Sequence, residues 1–379
     1  MEEELTSLKK KATFCDNYEF LGHHFQIRSD SQQVLDEFKA IYRHFKLNHA
    51  PLKDERLTCY LLSSTPLNKP IIIIGKDCYP LESPGITLNT YFFHLIAPRL
   101  KEYFLIHGGV VSWKGKGIII SGHSTFGKTT LIIELIKRGF MFLSDEVAPI
   151  HRLSHKIVPF PRSIGVRRST LRLFKGLKVC SNGHENRKYM IDIEDIYQGK
   201  IGTSCRPRYV IFLSANLDKD LSKKGDLRFL EIALNRINQN LVRDLRVING
   251  VIDVSEVPGR QYPVLRILLD RKKRTANQLK EVCNKHKCLI FYSIFGKTRT
   301  PDFNVSPILT SINKTQGVME LMRMILSGYQ PTMVDDVFDG SPCRMLMELA
   351  DIAKDIQFYQ LSMGKLDEMG DLITQLVSD

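Results

Sequence analysis

Apolar positions along this chain change period several times, and each change marks an element. Between Asp30 and Phe45 they fall three and four apart (Val34, Leu35, Phe38, Ile41, Tyr42, Phe45) behind an Asp-Ser pair suited to capping, which predicts a helix. Phe25-Gln26-Ile27 and the unbroken apolar run 71–74 predict strands, and residues 88–100 an amphipathic helix. Residues 105–113 and 117–121 predict two strands joined by a hairpin at Lys114-Gly115-Lys116-Gly117, because glycine accepts a positive φ. Residues 129–138 follow helical spacing through Leu131, Ile132, Leu135 and Ile136, and Gly139 ends them. A short buried strand, 140–143, comes next, then strands at 209–213 and 264–268. Beyond 271 the spacing turns helical over 317–326, 343–359 and 365–377, with methionines recurring as core filler. The pattern predicts an α/β chain in three segments: a small α/β module (1–100), an α/β domain (101–270) and a mainly helical region (271–379).

The middle segment carries the candidate chemistry. Gly122-His123-Ser124-Thr125-Phe126-Gly127-Lys128-Thr129 fits the phosphate-loop pattern G-x-x-x-x-G-K-[ST] and lies between a predicted strand and a predicted helix that continues with Thr130. That context aims backbone N–H groups and a positive helix end at one point, a cradle for the phosphates of a nucleoside triphosphate. Lys128 supplies a compact cation for the β- and γ-phosphates, and Thr129 offers a hydroxyl to Mg²⁺. Asp145 and Glu146 follow the next strand at its C-terminal end, where open α/β sheets place ligands. One carboxylate suits the Mg²⁺ shell and the other can take a proton from an attacking hydroxyl. His107, ahead of the hairpin, can assist Asp145 electrostatically or by proton exchange. Arg162, Arg167, Arg206 and Arg208 are candidate phosphate clamps. No Asn-Lys-x-Asp guanine-reading motif occurs, which argues against a GTPase.

Composition narrows the field. The 379 residues are 43% hydrophobic and 25% charged, ordinary for a globular protein. No apolar run approaches the roughly 18 residues of a membrane span, and Met1-Glu2-Glu3-Glu4 does not begin a secretory signal. Eight irregularly spaced cysteines then read as reduced thiols, and a cytoplasmic location with no membrane partner is expected. The net charge of +13 leaves an anionic partner open, but the basic residues are scattered and Arg271-Lys272-Lys273-Arg274 lacks interleaved aromatics, so no nucleic acid is expected. Cys283 and Cys288 flank His286 without the second pair that a zinc site needs.

The segment from Ile106-His107-Gly108-Gly109 through GIIISGHSTFGKTTLIIELIKRGFMFLSDEVAPI resembles the catalytic domain of the HPr kinase/phosphorylase family. His107, Gly122, Ser124, Gly127, Lys128, Thr129, Arg138, Gly139, Asp145 and Glu146 carry the match. More loosely, FLGHHFQIRSDSQQVLDEFKAIYRHF, PFPRSIGVR, RPRYVIFL and VPGRQYPVLRI resemble the HPr-kinase-like proteins of bacterial peptide-maturation clusters, so the likeness covers about residues 20–270. The resemblance implies a P-loop kinase domain related in fold to phosphoenolpyruvate carboxykinase. It implies ATP and Mg²⁺ as cofactors, Asp145 as the base that activates the acceptor and helps hold Mg²⁺, and a serine hydroxyl on a protein or peptide as acceptor. Family members form oligomers, which the helical tail could serve. Glu146 stands where the family usually has a second Asp, and Thr125 where it has Gly, leaving HPr itself and the reverse reaction open. The rival expectation is a nucleotide-sensing regulatory protein without phosphotransfer.

Overall fold

A computed structural model describes residues 2–49, 56–63, 70–80, 88–122, 126–174, 176–177, 179–181, 189–214, 227–257, 263–270, 273, 275–288, 290–295 and 302–378. The chain is mixed α/β and divides into two compact units, 1–96 with 161–196, and 97–160 with 197–379.

The first unit holds a five-stranded sheet in the order Phe14–Phe20, His23–Ser29, Arg56–Leu62, Ile71–Ile74, Asp77–Pro80. The second and third strands run parallel, and the helix Gln32–Tyr42 crosses between them. Ser31 caps that helix by accepting from the Val34 N–H at 3.4 Å, as its sequence signal predicts. Tyr18, Phe20, Phe38, Tyr42 and Phe92 fill the core with no exposure. Residues 161–196 return to this unit, although the sequence groups them with the middle segment. Asp192, 1% exposed, accepts from Arg43 Nε at 2.7 Å and His44 Nε2 at 2.8 Å. Burial alone would raise its pKa. The hydrogen bonds from His44 and the Glu194 N–H, with the charge of Arg43, bring it below the usual carboxylate range.

The second unit is built on a six-stranded sheet in the order Leu309–Ile312, Gln357–Ser362, Arg206–Ser214, Lys116–Ser121, Gly109–Trp113, Met141–Ser144. Gln357–Ser362, Arg206–Ser214 and Lys116–Ser121 are parallel neighbours. Gly109–Trp113 is antiparallel to both its partners, so Met141–Ser144 points the same way as Lys116–Ser121. The hairpin turn falls at Lys114 and Gly115, both at positive φ (48° and 78°), where the glycine signal placed it. The expected strand 105–113 is two strands. Tyr103–His107 leaves the six-stranded sheet and pairs antiparallel with Val147–His151. Gly108 makes the break: a Cβ there would stand 3.0 Å from the Ile120 carbonyl oxygen, so the chain passes closely and turns away.

The C-terminal region is less purely helical than its spacing predicts. The expected helix 343–359 stops at Ile352, and Gln357–Ser362 becomes a strand beside Arg206–Ser214. Alternation of buried and exposed residues is weak there because an interior parallel strand is covered on both faces. Helices Lys314–Ser327 and Pro342–Ile352 pack Leu321, Ile325, Met345 and Leu349 onto Ile106, Val110 and Ile119. Of the methionines, Met333, Met345, Met363 and Met369 are core, whereas Met319 and Met347 are exposed.

Residues 227–295 form a module within this unit. Its elements run strand, helix, strand, strand, helix, strand: Leu227–Leu234, Gln239–Arg246, Val251–Glu256, Val264–Asp270, Ala276–Lys285, Ile290–Phe295. The sheet is wholly antiparallel with the order fourth, first, third, second, a ferredoxin-like βαββαβ arrangement. Its core, including Leu230, Ile232, Leu241, Leu245, Ile267 and Cys283, is drawn from residues 230–288 alone. The sequence boundary at 270/271 therefore falls inside one folded piece.

Candidate active site

Strand directions bring the candidate residues together. Lys116–Ser121 and Met141–Ser144 end at one edge of the sheet, and Gly109–Trp113, lying between them, begins there. Gly122, Asp145 and the pair His107-Gly108 therefore meet at that edge. Gly122 packs against Leu213; a Cβ at Gly122 would lie 2.8 Å from the Leu213 Cβ. Gly127 adopts a left-handed conformation (φ 69°, ψ 15°) and caps the helix Lys128–Lys137. The turn, rather than lack of space, requires glycine there, because a Cβ would meet nothing closer than 3.6 Å. Lys128, Thr129 and Thr130 are the first three helical residues and are half-buried. N–H groups of a first turn have no intrahelical acceptor, and that turn holds no acidic residue, so it favours an anion. Phe126 is 3% exposed, so only its backbone faces the cradle. His123, Ser124 and Thr125 lie outside the described residues.

Four charged or ionisable groups converge behind the cradle. Lys128 Nζ lies 3.2 Å from His107 Nε2, and Glu146 Oε1 lies 3.7 Å from His107 Nδ1. An ammonium donating to Nε2 leaves the imidazole proton on Nδ1, toward Glu146. Asp145 is 2% exposed. The Ser144 Oγ accepts from the N–H groups of Glu146 and Val147 at 3.4 and 3.2 Å, and this turn delivers the acid pair to the edge. Ser121 Oγ donates to the His107 carbonyl at 2.7 Å, fixing the end of the loop strand against the histidine.

The oxygen donors suit Mg²⁺: a helix-start hydroxyl at Thr129 and carboxylates at Asp145 and Glu146 match a hard cation that keeps waters and substrate phosphates as further ligands. Among the described residues no group of three His, Cys, Asp or Glu is placed to hold a metal by itself.

Several residues at this edge carried no sequence signal. Tyr329 OH donates to Glu146 Oε1 at 3.4 Å, and its ring centroid lies 5.8 Å from that of His107. The adjoining Gln330, 1% exposed, accepts from the Leu105 N–H at 2.9 Å and donates to the Leu100 and Tyr103 carbonyls at 3.1 and 2.9 Å. Phe303 and Met363 each bring a carbon within 3.6 Å of the position a Gly127 Cβ would take. These partners lie more than 170 residues from the loop or the acids, so no local pattern marks them.

The arginines separate. Arg206 pairs with Lys116 at the start of its strand, so Arg206 and nearby Arg208 stand at the sheet end opposite the loop and are not phosphate clamps. Arg162 and Arg167 belong to the first unit. Arg138 is a tether: Nε meets Glu134 Oε1 at 2.8 Å, Nη1 meets Asp371 Oδ1 at 2.6 Å, and Nη2 donates to the Asp367 carbonyl at 2.9 Å. It fastens the loop helix to the last helix, Leu366–Ser378.

Residues 98–165 match the family described as the HPr Serine kinase C-terminal domain. Over these residues the chain is HPr-kinase-like. An HPr kinase/phosphorylase of Nitrosomonas europaea is 35% identical over 136 residues, 34% of this chain and 40% of its own. One of Caldicellulosiruptor bescii is 35% identical over 69 residues, 18% and 21% of the two chains. The chain spans between 18% and 53% of the length of the first curated relatives it matches. A solved structure, the Hpr(Ser) kinase/phosphatase from Coxiella burnetii, aligns with 48% of this chain and 95% of its own at 14% identity, with a TM-score of 0.21. The HPr-kinase-like segment contains the phosphate loop, His107 and both acids, and ends before the βαββαβ module begins.

Proposed function

We propose that this protein is an ATP-dependent phosphotransferase that moves the γ-phosphate of ATP to a serine hydroxyl of a protein or peptide. The observation that carries the proposal is the convergence at one sheet edge of the Gly127–Thr129 helix start, His107 and the Asp145-Glu146 pair. In this scheme the backbone of residues 122–130 and the Lys128 ammonium bind and orient the phosphates. Thr129, Asp145 and Glu146 would hold Mg²⁺, which when bound neutralises charge on the phosphates. The Asp145 carboxylate takes the acceptor hydroxyl proton, the acceptor oxygen bonds to the γ-phosphorus, and the bond to the β-bridging oxygen breaks to release ADP. His107 holds Lys128 on one side and faces Glu146 on the other, so it keeps cation and acid in register. The fold we assign to this domain is the P-loop kinase type shared by HPr kinases and phosphoenolpyruvate carboxykinase. The chemistry is proposed to centre in the second of the three parts 1–100, 101–270 and 271–379, while the folded pieces cut across the bounds of those parts.

The test is transfer of labelled γ-phosphate from ATP and Mg²⁺ into host extract, with Lys128→Ala as control and Asp145→Asn as probe. A labelled polypeptide that depends on both residues is expected. ATP binding with no transfer to any acceptor would instead support a nucleotide sensor, and transfer that survives Asp145→Asn would overturn the assignment of the base.

A further inference from the structure

The βαββαβ module at 227–295 is not needed to complete the loop sheet. The strands on either side of it in sequence, Arg206–Ser214 before and Gln357–Ser362 after, are direct neighbours in that sheet. It has its own core. Both of its connections nevertheless leave from the site's edge. Arg206–Ser214 runs parallel to the loop strand and ends beside it. The chain returns at 302–308, where Phe303 lies against Gly127 and the Lys365 N–H donates to the Val305 carbonyl at 2.9 Å. A third tie comes from the module's second helix: Lys280 Nζ donates to the Pro331 carbonyl at 2.6 Å, two residues beyond Tyr329 at the acid pair. The module is thus held at the edge where an acceptor must approach.

Its charge is distinctive. Residues 227–295 hold thirteen Lys and Arg against six Asp and Glu, a net +7 of the chain's +13. Several of these cations gather where the two module helices end. Asp244 accepts from Lys285 Nζ at 3.0 Å and His286 Nε2 at 2.9 Å, and Arg243 Nε lies 3.7 Å from its other oxygen. Arg236 Nη2 donates to the His286 carbonyl at 2.6 Å, and Lys287 is exposed beside it. Arg243 and Lys285 are each 73% exposed. Among the described residues Arg243 and Lys285 share Asp244, one negative charge between two exposed cations. Cations at helix C-termini complement the dipole, but Arg236 precedes its helix and gains nothing from it.

Resting on the phosphotransferase reading, we propose that this module docks the acceptor by gripping an acidic polypeptide segment next to the phosphorylated serine. Charge complementarity at such a patch raises encounter rate and selects partners. A nucleic-acid ligand fits less well. On Val264–Asp270 the core takes Leu265, Ile267 and Leu269, and the cation that this strand turns to the other face, Arg266, is not open to a phosphate backbone. Arg266 is committed to Glu231, at 2.9 and 2.6 Å.

Binding of three short fluorescein-labelled probes to the full chain tests this without requiring catalysis: a serine flanked by glutamates, the same serine flanked by lysines, and an oligouridylate. The variant Arg243→Gln/Lys285→Gln/Lys287→Gln is compared with Lys10→Gln/Lys11→Gln/Lys39→Gln, which removes equal charge from the first unit. The acidic peptide should bind the native chain and the second variant alike, and lose about tenfold in affinity to the first variant. Equal loss in both variants, or preference for the oligouridylate, overturns the proposal. A native chain that grips the acidic peptide but neither binds ATP nor transfers phosphate would sink the phosphotransferase reading and, with it, the acceptor role, leaving only an acidic-peptide site on the module.

Discussion

At the phosphate-loop edge Lys128, His107 and Glu146 form a chain of contacts at 3.2 and 3.7 Å, with Asp145 next to Glu146 in sequence, on backbone fixed by Gly108, Gly122 and Gly127. In the 227–295 module, on the same unit, charge is abundant and lopsided. The first arrangement suits chemistry, where a few groups must be held to fractions of an ångström. The second suits recognition, where many exposed cations act together at longer range and tolerate mobility. Under the proposed function, the motif is where phosphate is handled and the choice of acceptor falls to a part of the chain outside the HPr-kinase-like segment.

Substitutions can break this division of labour. Asp145→Asn should lower transfer by about 10²–10⁴, the range for a general base, with ATP affinity nearly unchanged by calorimetry. Lys128→Ala should lower turnover by about 10²–10³ and weaken ATP binding as well, whereas neutralising Arg243, Lys285 and Lys287 should leave ATP binding intact. A module variant that lost ATP binding would end the comparison. Tyr329→Phe removes a donor to Glu146 and should reduce turnover about tenfold, from the usual worth of a hydrogen bond to a charged group, with the KM for ATP unmoved. The smallest effect belongs to the module. Hydrogen bonds from His286 and Lys285 hold Asp244 down to about 2. Its folded value thus lies below the unfolded one of about 3.9, so the stabilisation is complete above roughly pH 4 and fades as pH falls toward the folded value. Asp244→Asn should flatten that slope in thermal melts, without changing transfer at neutral pH.

Legibility in the sequence followed distance along the chain. The helix after the loop, the acid-bearing strand and the Lys114-Gly115 hairpin are each complete within a few tens of residues, so spacing and glycine sufficed to place them. Tyr329 was invisible because nothing near it in sequence shows that Glu146, 183 residues earlier, is its partner. The same holds for Asp192 with His44, which draws 161–196 into the first unit. The βαββαβ module was missed because its sheet order interleaves strands that are not consecutive, and single strands of it look like any other apolar run.

What the sequence determined by itself was the local machinery: a strand, a left-handed glycine, a helix start with Lys128 and Thr129, and two carboxylates one helix and one strand later. Those are set by backbone sterics and by hydrogen bonds between near neighbours, which each residue's own neighbourhood dictates. Only the tertiary structure decided that Gly109–Trp113 would run opposite to its partners and bring His107 between lysine and glutamate, that Gln330 would pin Tyr329 beside them, and that a separate basic module would be tied to the same edge. Those outcomes depend on which distant surfaces bury one another, a choice made by the packing of the whole unit.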